Sequence, residues 1–290
     1  MSTVGEVLII GVLLGVIYTL LGAGLTLVLG VLRIVNLAHG ILIVVGSFVT
    51  YDLFTGWGID PVLSVLLTVP LFFVVGAVLE RVLLRRASQD SPERAMLVLF
   101  GLMIVGEAVA SLVWSTDSRS IDVGYANGSV SFGGIVVPED YLVMAGVAAV
   151  VLGLTELFLS KTIFGKAMRA VGQSRDSAEI LGIDSARMAT LVFGLGTGLA
   201  AGAGAALGVL FPFSIQGDSQ WLAYSFIVVL VGGLGGIRSS LVGGLALGLG
   251  QAFFSQVLSL DLVPVLLYGG LAVALIVRGG GLGITRGRRI

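Results

Sequence analysis

The 290-residue chain has no cysteine and one histidine, His39. The first absence excludes disulfides and cysteine-ligated metal sites, and the second excludes a polyhistidine metal site. Charge is also scarce: Asp, Glu, Lys and Arg make up 11% of the residues, against roughly a quarter in a soluble domain. The net charge of −1 leaves no basic footprint for nucleic acid. No HExxH or GxSxG pattern is present. The nearest approach to a P-loop, Ser160 to Ala167 (SKTIFGKA), has Ser160 where the first glycine is required and Ala167 where a magnesium-binding Ser or Thr is required. Ser47 and His39 lie eight residues apart across a polar break with no orienting acid nearby, which is a poor start for a hydrolase. The Gly-x-Gly patterns at Gly194–Gly198 and Gly202–Gly204 sit inside apolar runs and read as helix packing.

What remains is apolar. Hydrophobic residues make up 57% of the chain, mean hydropathy is +1.09, and there are 44 glycines. Small residues at this density suit closely packed membrane helices. The expected fold is an all-α polytopic membrane protein forming a single transmembrane domain over residues 1–290. A span needs about 20 apolar residues, which allows about eight or nine spans. The apolar runs are 5–32, 40–55, 61–80, 95–114, 141–160, 188–211, 222–233, 240–258 and 262–277. The runs 40–55, 222–233 and 262–277 are short enough to be half-helices or re-entrant segments. Met1 to Glu6 lacks a basic region, so the first run reads as a retained span.

Basic residues cluster by side. Arg81, Arg85, Arg86 and Arg94 follow the third run, Lys161, Lys166, Arg169, Arg175 and Arg187 follow the fifth, and Arg278, Arg286, Arg288 and Arg289 end the chain. Alternating from these anchors places Arg33 and Arg238 on the same side, leaving Arg119 alone among the 16 basic residues on the other. The positive-inside rule then predicts an external N-terminus and a cytoplasmic C-terminus. The external loop 115–140 carries Asp117, Asp122, Glu139 and Asp140, and Val130 to Val137 (VSFGGIVV) suggests a short hairpin. This loop is either solvated surface or a docking surface for an external partner.

Two polar breaks interrupt apolar sequence. In Leu25 to Ser47 the break holds Arg33, Asn36, His39 and Gly40. In Ala223 to Gly250 it holds Gly232, Gly233, Gly235, Gly236, Arg238, Ser239 and Ser240. Non-helical backbone at membrane depth is tolerated only where it lines a cavity or is buried in protein. Interrupted segments at corresponding places in an internal repeat point to a solute path. The candidate path residues are therefore Asn36, His39, Gly40, Ser47, Gly232, Gly233, Gly235 and Gly236. Asn36 is placed to cap a helix beginning near Ala38, whose free N–H groups would suit a solute carboxylate. His39 is either a structural hydrogen-bond partner or a path-lining group. Glu107, inside the fourth run, is either a packing residue at a subunit interface or a functional carboxylate. Glu80 beside Arg81 and Glu156 before Lys161 read as local ion-pair or snorkelling residues.

The loop 161–187 is the most informative polar stretch. Ala167, Ala170 and Val171 share one helix face, Gly172 breaks that helix, and Ser174 starts a second short helix over Ser177 to Leu181 that Gly182 stops. This helix–turn–helix either lies on anionic lipid or docks a cytoplasmic partner.

The loop resembles the ATPase-coupling loop of ABC importer permeases, with Gly165, Arg169, Ala170, Ala178, Gly182 and Ile183 in that family's spacing. Asn36 to Gly40 (NLAHG) resembles the signature of LivH-type branched-chain amino-acid permeases, the hydrophobic amino acid uptake family. Leu79 to Ala87 (LERVLLRRA) and the glycine-rich Leu230 to Leu249 segment are also similar. The likeness runs from about residue 15 to 285. Arg238 and Ser239 stand where the family often has Pro-Gly.

The resemblance implies a non-catalytic permease subunit of an ABC importer in the plasma membrane of a prokaryote. It would move branched-chain amino acids, or urea, short amides or other small carboxylates, inward. Partners would be a second permease subunit in a heterodimer, two ATPase subunits that bind ATP and magnesium, and an external solute-binding protein. This chain would itself hold no cofactor or metal. Gly165, Lys166, Arg169, Ala170, Ala178 and Gly182 would couple to the ATPases. The rival reading is a secondary transporter or channel that works without ATPases.

Overall fold

The structure, a computed structural model, describes residues 2–132, 135–234, 236–257 and 269. The expected run 262–277, the basic tail and Gly235 lie outside the described residues. The chain folds into α1 (Ser2–Leu32), α2 (His39–Trp57), α3 (Pro61–Leu79), α4 (Arg85–Asp90), α5 (Pro92–Trp114), α6 (Glu139–Lys161), α7 (Ile163–Gln173), α8 (Arg175–Ile180), α9 (Ser185–Leu210), α10 (Asp218–Gly232) and α11 (Ile237–Val257). A π-helical turn, Glu80–Leu84, joins α3 to α4. The expected hairpin in the long loop is β1 (Ser129–Phe132) paired antiparallel with β2 (Ile135–Pro138).

Among the described residues, seven helices are long and apolar enough to cross a membrane: α1, α2, α3 with its extension to Ala87, α5, α6, α9 and α11. The 15-residue α10 is about 22 Å long and too short for that test. Tertiary contacts sort the basic residues to one end of the bundle. Arg33 reaches Gly172, Arg85 reaches Ala186 and Arg238 reaches Glu156. At the opposite end Glu6 accepts from Val136 N, and Trp114 donates to Asp52 at 2.7 Å. Arg119 sits there too, over the rings of Phe48 and Tyr51 at 5.6 and 5.0 Å, and pairs by backbone with Phe213. Its charge is met by aromatic faces and by the Trp114 carbonyl, so this arginine at the opposite end serves structure.

The centre of the bundle is α9, 94% of whose spanning stretch is buried. It packs against α1, α2 and α3, while α11 lies antiparallel along α1. Small residues permit this. At Gly204 a side chain would run into the Ile43 carbonyl of α2, and Ser47 N would lie 3.0 Å away. Several buried hydroxyls satisfy themselves within their own helices, as Thr19 does on Gly15 O at 2.7 Å and Thr197 on Phe193 O at 2.6 Å.

Two acidic residues are paired differently from the local partners expected of them. Glu80 is buried and accepts from Thr190 Oγ1 of α9 at 2.6 Å, with Arg85 rather than Arg81 at 3.5 Å. One turn of π-helix turns the carboxylate inward, where only a tertiary partner can satisfy it. Glu156 binds Arg238 at 3.0 Å, not Lys161.

Gly204→Val forces α2 and α9 apart and is expected to cost about 1–3 kcal/mol or more by overpacking. Gly153→Val, at an exposed position with nothing within 4 Å, serves as the control. Thermal unfolding in detergent reads the difference, and equal midpoints for the two variants would contradict the α2–α9 packing.

Candidate functional site

The first break is a helix interruption inside the protein. α1 ends at Leu32, and Arg33 turns the chain with φ +57°. Residues 34–38 then run back along α1 until α2 begins at His39. His39 Nε2 lies 3.0 Å from Leu21 O, and Leu21 stands about 16 Å from the end of α1 by helical rise. The N-terminus of α2 is therefore well inside the bundle. Asn36, Ala38, His39 and Gly40 are all buried.

Asn36 does not cap α2. The N-cap is Ala38, without a side-chain bond, and Asn36 contributes only its carbonyl, which accepts from His39 N at 3.2 Å. Its side-chain Nδ2 and Oδ1 are buried without a partner. Asn36 precedes the cap position by two residues and so cannot serve as the N-cap. His39 ties α2 to α1 through Nε2, while its Nδ1 is buried without a partner. Ser47 donates to Gly204 O at 2.7 Å and so belongs to the α2–α9 contact.

The second break does not meet the first. Gly232, Gly233 and Gly236 form the turn between α10 and α11 at the basic end. Gly233 and Gly236 have φ of +86° and +93°, so the turn needs glycine for its backbone. A side chain at Gly232 would strike the Ser239 carbonyl. These residues are explained by a tight connection. Gly235 lies outside the described residues.

The partner of Gly40 comes from elsewhere. A side chain at Gly40 would strike the carbonyl of Asp218, the first residue of α10. α9 ends at the opposite end of the bundle, and residues 211–217 carry the chain inward before α10 starts. The N-termini of α2 and α10 thus abut in the interior. Asp218 is buried, and its side chain is hydrogen-bonded by Glu107 of α5. Gln216 and Ser219 beside it are exposed. The sequence carried a signal for this junction: Phe211 to Trp221 (FPFSIQGDSQW) is a polar break just ahead of a short apolar run.

At the basic end the 161–187 loop is a helical hairpin. Thr162 Oγ1 accepts from Gly165 N at 3.1 Å and starts α7; Ser174 Oγ accepts from Ser177 N at 3.2 Å and starts α8. α8 begins at Arg175, two residues earlier than the spacing predicts, and Gly182 with φ +80° follows it. The buried face of α7 is Gly165, Met168 and Val171, with Ala167 and Ala170 at its margin, so the helix is rotated from the expected face. Ala178 is the buried residue of α8. Lys166, Arg169 and Gly182 are exposed. Arg169 still turns back to donate to Leu159 O. Arg175, hydrogen-bonded to Glu179 at 3.1 Å, holds that carboxyl below the usual carboxylate range, with Ser185 adding to the effect. A groove of about 570 Å³ lies between α7, α1 and the α10–α11 turn, lined by Gly30, Met168, Arg169, Gly172, Glu156 and Arg238. In the opposite-end loop, burial and the nearby Asp60 carboxylate push the Tyr125 hydroxyl upward.

The whole chain resembles known permeases. It is 28% identical over 290 residues to the high-affinity branched-chain amino acid transport system permease protein BraD of Pseudomonas aeruginosa, covering 95% of this chain and 94% of that one. The corresponding LivH proteins of Salmonella typhimurium and Escherichia coli are 29% and 27% identical, each over 94% of this chain and 92% of theirs. No solved structure matches significantly. Residues 7–278 match the family of permease components of branched-chain amino acid transport systems. With its seven apolar helices, the chain is a multi-pass membrane protein and belongs to that permease family.

Proposed function

We propose that this chain is the membrane half of an ATP-driven importer that carries branched-chain amino acids into a prokaryotic cell. The observation that carries the reading is the α7–α8 hairpin. Its inner face is already buried, yet Ile163, Phe164, Ile180 and Leu181 remain 82%, 54%, 86% and 78% exposed. Large apolar side chains amid Lys166, Arg169 and Arg175 fit a protein partner at the basic end. By the positive-inside rule that end faces the cytoplasm, where ATPase subunits act. The P-loop-like stretch Ser160 to Ala167 supports a separate energy source. It is the junction of α6 and α7, and Gly165 N is taken by Thr162 rather than open to a phosphate.

The solute path runs past the meeting of α2 and α10. Half-helix ends at membrane depth and a Glu107–Asp218 carboxyl pair need either water or protein around them. Glu107 is half-exposed on α5, only 11% of whose spanning stretch is buried. A second permease subunit covers that face. The buried Asn36, with both side-chain atoms unpartnered, belongs to a closed state that opens as the ATPases act. An external binding protein delivers the solute at the opposite end. This chain performs no covalent chemistry, and ATP with magnesium is held by the partners.

Phe164→Asp combined with Ile180→Asp should reduce co-purification of the ATPase subunits by at least about tenfold, as expected when apolar anchors are replaced by charge. Undiminished association would overturn the hairpin as the docking element, and uptake that persists when the ATPases are lost would favour an ATPase-independent carrier. For the solute, the co-purified binding protein is expected to bind leucine, isoleucine and valine; binding of urea, short amides or other carboxylates in their place would redirect the substrate. His39→Ala removes one buried hydrogen bond, worth about 1 kcal/mol. It should slow uptake less than rebuilding residues 33–38 as continuous leucine helix, and the reverse order would make the imidazole itself the essential group.

A further inference from the structure

The residue that ends α1 is an arginine in a glycine conformation. Arg33 has φ +57°, one of two non-glycine residues with positive φ among those described. Its N–H donates to Leu29 O at 3.1 Å, which places it just past the helix, where glycine is the usual residue. The chain keeps a long cationic side chain at a position that disfavours any side chain.

The side chain has a specific target. Arg33 Nη2 donates to Gly172 O and to Gln173 O, each at 3.3 Å. These are the final carbonyls of α7, which have no helical partner and carry the negative end of its dipole. The nearby Arg175 is engaged with Glu179, so it does not supply this cap. Below the contact, Gly172 lies against the Gly30 carbonyl and Val31 of α1. On the far side of Arg33, residues 34–38 lead straight to the interior N-terminus of α2.

We infer that Arg33 is a positioning residue that latches the C-terminus of α7 to the broken segment 33–38, so that displacement of the α7–α8 hairpin moves the start of α2. The inference rests on the reading of α7–α8 as the ATPase-docking element. It adds the route by which a push at the surface reaches the membrane interior. α7 also contacts α1, α6 and α9, but those contacts fall on the sides of continuous helices. Arg33 grips the one point where α1 gives way to extended chain.

The test uses the assembled complex of permease subunits, ATPases and binding protein in proteoliposomes, with ATP hydrolysed and leucine taken up measured in the same vesicles. Arg33→Gly keeps the left-handed backbone and removes the guanidinium. It should retain ATPase co-purification and hydrolysis while leucine moved per ATP falls about tenfold, within the range of a typical coupling between sites. Arg33→Lys, which can still reach the two carbonyls, should recover most of that ratio, and Arg33→Gln should recover little. An unchanged ratio in Arg33→Gly overturns the latch. Loss of ATPase association in Arg33→Gly and Arg33→Gln also overturns it, because the residue would then serve docking. If the unsubstituted chain fails to bind ATPases, the underlying reading of the hairpin falls instead.

Discussion

Every backbone N–H and C=O inside a bilayer must find its partner within the protein. Among the described residues the chain leaves the helix inside the bundle at residues 33–38 and 211–217, and the architecture is arranged around those two departures. Each is anchored by buried residues, Ile34, Asn36 and Ala38 in the first and Phe213 and Ile215 in the second. Gly40 meets the Asp218 carbonyl, His39 meets the Leu21 carbonyl, and Phe213 is held by Arg119 through a pair of backbone bonds. One break enters from the basic end and the other from the opposite end. Each starts a helix in the interior, and the two helix starts meet at Gly40 and Asp218.

Holding broken backbone in place requires a frame that does not yield. Between membrane helices there is little hydrophobic drive, since lipid is as apolar as leucine, so close packing and a few polar contacts must suffice. α1, α9 and α11 supply the packing through small residues that let the backbones touch. Cross-helix bonds are few and specific among the described residues. Thr26 and Ser240 lie 2.8 Å apart, Tyr18 donates to Gln251 at 2.6 Å, and Ser47 donates to Gly204 O at 2.7 Å. The first two fix α11 against α1, and the third fixes α2 against α9. α5 and α6 are attached more loosely and expose Leu97, Leu112, Val150 and Leu154. Their free faces are where lipid or another subunit belongs.

Helix content, the 161–187 hairpin and the position of the first break were legible because each has a local cause. Apolar run length fixes a span, Ser174 fixes the start of α8, and a polar cluster marks backbone leaving the helix. The pairing of the breaks was not legible, because it depends on which helix ends reach the same depth. Gly233 and Gly236 read from the sequence as part of a polar break, and in three dimensions they also form a turn whose φ values favour glycine. Asp218 looks like the polar edge of a loop and proves to be the buried neighbour of Gly40. Glu80 and Glu156 were assigned sequence neighbours as partners, whereas the π-turn and the α10–α11 connection bring Thr190 and Arg238 to them. Composition cannot carry such contacts, which join residues 110 and 82 positions apart.

The distribution of polar contacts sets where such a molecule can move. At the basic end, apart from the buried Glu80 beside Arg85, the ion pairs are solvent-facing: Arg238 is 84% exposed against Glu156, and Arg187 is 79% exposed against Asp184. Pairs of this kind contribute little and are readily broken and remade in water. In the interior the contacts are glycine against carbonyl and hydroxyl against carbonyl, in surroundings that offer no replacement partner. A force applied to the basic end therefore rearranges surface pairs at low cost and passes inward only where the chain is already out of helical register. That place is the segment between Arg33 and His39. The same break that the bilayer makes costly is the point at which the frame can bend without opening α1, α9 or α11.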